Sequence, residues 1–173
     1  MYVTSKNIRM GFMDLDDVEH ISEAEHRGIF RRCDVRRGDL LLTKDGANTG
    51  NVCINECDEE FSLLSSVALL RANPASVDAR FLQTYLASEE SQSRLTGAMS
   101  GNAITRLTLE KIKAFEIYVP ELDSQTAIAD CVESHDERVR SEHRYLLTLL
   151  QLREGVERDL FSGRVRFPAE VLS

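Results

Sequence analysis

At 173 residues, 42% hydrophobic and 29% charged, with no Trp and only three Pro, the chain is sized for one folded domain plus a modest extension. That argues against a two-domain enzyme and against a disordered or low-complexity tract. Its longest apolar runs, Leu40 to Leu42 and Val67 to Leu70, fall far short of the roughly 20 residues that span a bilayer, and Met1 to Met10 holds no signal-peptide core, so the cytoplasm is the expected compartment. A net charge of -8 stands, by itself, against a chain that grips a phosphate backbone through excess Lys and Arg.

Up to Pro120 the pattern is short and mixed, with alternating or fully apolar runs separated by Gly, Asn and Asp, as in a sheet with helices. Ser22 followed by Glu25 has capping-box spacing and predicts a short helix starting there. Leu40 to Thr43, Val52 to Asn55, Val67 to Arg71 and Phe115 to Val119 read as strands, the first and third apolar enough to be buried on both faces. Between the first two, Lys44 to Gly50 is a turn-rich connection whose glycines imply tight backbone geometry. Phe81, Leu82, Tyr85 and Leu86 follow helical spacing, with Asp78 placed to cap them.

From Ser124 to about Phe161 there is no Pro and one Gly, Gly155, and apolar positions recur every three or four residues, which predicts one long helix ending near Ser162, with Gly163 at its terminus. Its seam runs through Ile128, Val132, His135, Val139, Glu142, Leu146, Leu149, Arg153, Val156 and Leu160, a coiled-coil pattern with three polar interruptions. Those three either snorkel at the edge of the coil or control its register. Such a helix extends about 55 Å, too long to lie against so small a domain along its whole length, so a partner helix is expected to cover much of it.

No catalytic constellation stands out. Cys33, Cys53, Cys57 and Cys131 contain one close pair and no second pair to complete a zinc site, and read as structural thiols. His20, His26, His135 and His143 are scattered without metal-ligand spacing, and no phosphate loop or activated nucleophile is evident. No metal or other cofactor is expected. Arg27, Arg31, Arg32, Arg36 and Arg37 crowd into one stretch with Asp34 as the single acid, which allows a basic patch on an acidic body. Lys6, Asn7, Arg9, Lys44, Asn48, Asn102 and Arg106 fall in predicted loops or strand ends, with side chains suited to phosphates or base edges, although for each one singly a turn-forming role is the first expectation.

Several ordered segments resemble one family. Tyr2 to Arg9, Arg37 to Gly46, Thr49 to Val52, Ser100 to Ile104, the junction Ile117-Tyr118-Val119-Pro120-Glu121-Leu122 with Gln125 and Ile128-Ala129, and the exit Asp159 to Val165 are similar to specificity subunits of type I restriction-modification enzymes. Two departures stand beside the match. Ser124 occupies the position before Gln125 where the family usually has Glu, and the family's recognition domains carry a further segment before the Tyr2-like strand, which leaves open whether the recognition domain is complete.

The resemblance implies an α/β (α+β) target-recognition-like domain with a mixed sheet over residues 1–120, and a long-helix dimerisation and spacer region over 121–173. It implies a non-catalytic subunit that binds double-stranded DNA, with Lys6, Asn7, Arg9, Arg31, Arg32, Lys44, Asn48, Asn102 and Arg106 as candidate contacts. Methyltransferase and restriction subunits would be its partners. Since complete specificity subunits hold two such domains and two such helices, one of each suggests a half-subunit that pairs as an antiparallel homodimer through Ile128, Val132, His135, Val139, Leu146, Leu149, Val156 and Leu160. The acidic charge keeps a second reading open, a truncated fragment that docks on other subunits without reading DNA.

Overall fold

The computed structural model describes residues 1–99 and 106–165. It divides the chain into two compact units, Met1–Ala129 and Asp130–Ser173.

The first unit is α+β. Its strands are β1 (Tyr2–Val3), β2 (Leu40–Thr43), β3 (Val52–Ile54), β4 (Ser62–Leu63) and β5 (Val67–Leu70), and its helices are α1 (Glu23–Phe30), α2 (Ala79–Ala87), α3 (Glu89–Met99), α4 (Leu109–Lys113) and the start of α5 (Leu122–Phe161). Parallel and antiparallel pairing occur in separate small sheets. β1 runs parallel to β4, while β2 is the centre of an antiparallel triplet in the order β3-β2-β5. Leu40, Leu41 and Leu42 face Ile54, Cys53 and Val52 on one side and Leu70, Leu69 and Ala68 on the other.

Alternation along the central strand creates two cores. Leu41 joins Val3, Ile8, Val35, Cys53, Phe61 and Leu63 on one face, and Leu40 and Leu42 join Val52, Ala68, Leu82 and Leu86 on the other. β2 is therefore buried on both faces as its sequence predicts, whereas β5 is only partly so, because Leu69 and Leu70 are half-buried.

Caps set the helix boundaries. Ser22 Oγ accepts from the Glu25 amide, and Glu25 accepts in return from the Ser22 amide at 3.1 Å and hydroxyl at 2.6 Å, closing the predicted capping box at the start of α1. Asp78 caps α2 through the Arg80 amide at 2.8 Å. The β2–β3 connection needs its glycines. Gly46 and Gly50 both have φ of +102°, and a Cβ on Gly50 would lie 2.7 Å from Gln92 Oε1.

One predicted strand is corrected. Phe115 to Val119 forms no ladder, although its alternation is real: Phe115 and Ile117 pack on the second core while Glu116 and Tyr118 face out. Arg94 explains the difference, since its guanidinium lies 4.4 Å from the centre of the Phe115 ring and donates to the Glu116 carbonyl at 2.7 Å, so side-chain contacts hold the segment where strand pairing would otherwise. β4, α3 and α4 were not predicted at all.

The first turns of α5 belong to the first unit. Gln125 is fully buried there, accepting from the Asp78 amide at 2.9 Å and donating to the carbonyls of Ser76 at 3.0 Å and Pro120 at 2.8 Å. From Asp130 onward α5 continues to Phe161, where Gly163, at φ +70°, turns the chain out of the helix as expected.

Candidate nucleic-acid interface

The residues suited to DNA contact fall into two groups. One surrounds the β2–β3 connection. Asn48 donates to the Ser5 carbonyl at 3.4 Å and Asn51 to the Ile8 carbonyl at 3.1 Å, which ties this connection to the turn carrying Lys6, Asn7 and Arg9. Arg106 reaches Asp45 at 2.9 Å, Lys44 pairs with the same carboxylate, and the Leu107 amide donates to the Lys44 carbonyl at 2.8 Å. Six of the nine candidates are thereby linked through one polar edge: Lys6, Asn7, Arg9, Lys44, Asn48 and Arg106.

Their availability differs. Asn7 is buried, its Oδ1 accepting from the Thr4 amide and hydroxyl and its Nδ2 donating to the carbonyls of Asp14 and Asp17, both at 3.0 Å. An amide so occupied holds a turn and has no free donor for a base edge. Lys44 is also buried, its ammonium directed to Asp45. Lys6 is held above its ordinary pKa by Asp17 and then Glu19, at 3.1 and 3.2 Å, and Arg9 pairs with Asp14 at 3.3 Å. Lys6, Arg9 and Arg106 keep exposed side chains, so phosphate oxygens could replace their carboxylate partners. Asn102 lies outside the described residues.

The second group is the arginine-rich stretch, and most of it is neutralised within the fold. Arg27 pairs with Glu23 at 3.3 Å, Arg36 with Asp34, and Arg37 with Asp58 at 3.0 Å. Asp39, buried, accepts two bonds from Arg71 at 2.7 Å and a third from the Arg36 amide, also at 2.7 Å. Asp39 holds Arg71 well above its ordinary pKa, and the two bonds between them tie together two chain segments 32 residues apart. Arg31 and Arg32, exposed at the end of α1, are what remains of the expected patch. Arg32 donates only locally, to the Gly28 carbonyl at 3.2 Å, and Arg31 has no side-chain partner among the described residues.

Sequence reasoning missed Asp39 and the clamp formed by Gln125. Arg37-Gly38-Asp39 and Gln125 both lie in the segments that carry the family resemblance, but spacing alone does not reveal that each is a buried polar side chain whose partners are distant in sequence. Cys53 is buried, and burial, then Glu56, pushes its thiol up to about 12, while Cys131 is exposed.

The long helix forms a third surface. Val139 is 66% exposed, Leu146 50%, Leu149 43% and Val156 49%, while Val132 and Leu160 are half-buried. His135, Glu142 and Arg153 are exposed on the same seam.

Residues 30–151, more than half of the chain, match the model of the type I restriction modification DNA specificity domain. The chain belongs to that family. Three solved structures share its fold. A chain from a study of complex assembly and conformational transition of the type I R-M system aligns with a TM-score of 0.62 at 18% identity, over 96% of this chain and 43% of that one. The HsdS subunit from Thermoanaerobacter tengcongensis aligns with a TM-score of 0.55 at 19% identity, over 91% and 39%. The type I S subunit from M. genitalium gives 0.52 at 18% identity, over 90% and 40%. This chain thus spans about two fifths of each of these chains. No curated protein matches it.

Proposed function

We propose that this chain is the DNA-reading part of a type I specificity subunit, itself non-catalytic. In this reading two copies pair antiparallel through α5, read a bipartite palindromic site and direct the cytoplasmic methyltransferase and endonuclease subunits that carry the chemistry. Membership of the DNA specificity family carries the reading. Arg31, Arg32, Lys6, Arg9, Asn48, Arg106 and Asn102 are the proposed contacts, with Asn7 and Lys44 shaping the loops that present them. Each phosphate neutralised releases counterions, so binding should weaken steeply with salt. In a fluorescence titration with mixed-sequence duplexes, the Arg31→Ala, Arg32→Ala double variant should reduce the slope of log K against log salt by about 2. A chain that is dimeric yet shows no salt-dependent affinity for any duplex would overturn the DNA reading.

One observation favours a second reading, a fragment that docks on other subunits without touching DNA. The net charge is -8, and Lys6, Arg9, Lys44 and Arg106 already have carboxylate partners. Binding to a methyltransferase subunit that persists at high salt, without DNA affinity, is its signature.

A further inference from the structure

The seam of α5 contains enough asymmetry to specify how two copies align. In a heptad pattern Val139, Leu146, Arg153 and Leu160 are first-core positions, and His135, Glu142, Leu149 and Val156 second-core positions. In an antiparallel pair related by a two-fold axis, first-core residues of one helix face second-core residues of the other. Only certain alignments satisfy this, each differing from the next by one heptad, and they are not equivalent.

With the axis between Leu147 and Thr148, Leu146 faces Leu149, Val139 faces Val156, Leu160 faces His135, and Glu142 faces Arg153, every pairing occurring twice. Apolar meets apolar at the centre, and the two strongly charged positions meet each other with opposite sign. One heptad step in one direction places Glu142 against Leu146 and Arg153 against His135. One step in the other places Glu142 against Leu160 and Arg153 against Leu149. Both shifted alignments bury a charge against an apolar side chain or face one cation with a titratable ring, and both cost more than the matched pairing.

The single chain leaves these groups ready for a partner. Glu142 has no ion pair among the described residues, and Arg153 reaches only Glu157, 3.6 Å away along its own helix. Tyr145 and Leu152, both 62% exposed, flank the matched seam and come alongside each other across the axis. On that flank Arg138 approaches Asp159, while on the other Asp136 approaches Glu157, so the outer charges roughly cancel and the choice rests with the core.

We infer that the covering partner of α5 is a second copy of this chain, antiparallel, aligned about the Leu147–Thr148 midpoint by reciprocal Glu142–Arg153 pairs. This rests on the half-subunit reading above and goes further by fixing the alignment and the residues that choose it. The test is sedimentation equilibrium on the full chain carrying Glu142→Arg, Arg153→Glu, both changes together, and an equimolar mixture of the two single variants. Each single change sets two like-charged pairs face to face and should weaken self-association by about 100-fold or more. The double variant restores opposite charges and should dimerise again. The mixture should form a heterodimer, because one chain then presents two arginines and the other two glutamates. A wild-type dimer whose single variants associate unchanged, or a mixture that stays unpaired, would overturn the alignment while leaving dimerisation intact. A wild-type monomer at every concentration would overturn the half-subunit reading itself.

Discussion

Leu40, Leu41, Leu42, Val52, Cys53 and Phe61 are sealed by their own chain, while Val139, Leu146, Leu149, Leu152 and Val156 on α5 face solvent. Both groups are apolar, and only the first has been buried by folding. At roughly 25 cal/mol per Å² of apolar surface removed from water, the first group stabilises the fold directly, whereas the second contributes only on association. The first unit therefore carries its own buried cores. Beyond Ala129 the apolar seam of the helix has no such cover among the described residues, and Gly155 weakens the helix interior by about 1 kcal/mol relative to Ala.

Substitutions in the two regions should separate these roles. The largest effect is expected from Phe61→Ala, which empties a fully buried site between the sheets and should lower unfolding stability by about 3–5 kcal/mol in a denaturant titration, with no dependence on protein concentration. Gln125→Ala removes three buried hydrogen bonds where α5 begins, and should cost about 2 kcal/mol in the same titration. Leu146→Ala should reverse the pattern: unfolding of the dilute monomer should change by less than about 0.5 kcal/mol, while sedimentation shows self-association weakened about 10-fold. Wild-type ellipticity at 222 nm should rise with concentration as the helix becomes covered, and a concentration-independent signal would break the comparison.

The smallest effect concerns acid. Ser22 holds the Glu25 carboxyl below its usual pKa, so the folded value lies beneath the unfolded one. The capping box therefore contributes fully above the unfolded value and is lost as pH falls through the folded one. Glu25→Gln should flatten the decline in stability below about pH 4.5, measured by thermal melts at stepped pH.

Legibility followed the locality of the physics. The Ser22–Glu25 box, the Asp78 cap, the three β2-sheet strands and the long helix were readable because each is written in residues a few positions apart. Phe115 to Val119 misled because alternation records which side chains turn inward, and a packed extended segment alternates as a strand does. β4, only two residues long, carries too little pattern to read. Within the candidate interface, residue type named Asn48 and Arg106 singly, and the structure brings them to one polar edge. Residue type could not show that Asn7 and Lys44 are spent on the fold, or that Arg37 is paired with the distant Asp58, because burial and that partner are set by tertiary contacts; the pairs Arg27–Glu23 and Arg36–Asp34 are local, but spacing alone does not say which neighbours meet.

The polar interruptions in the α5 seam have a consequence for mixtures. An all-leucine seam would accept any similar helix, so a cell making several such chains would scramble them. Under the proposed pairing, a seam with an acid and a base at equal distances from its midpoint would work as a lock that carries its own key: it would admit its own copy, penalise helices without the complementary pair, and require both charges to be exchanged together before a separate set of partners arose.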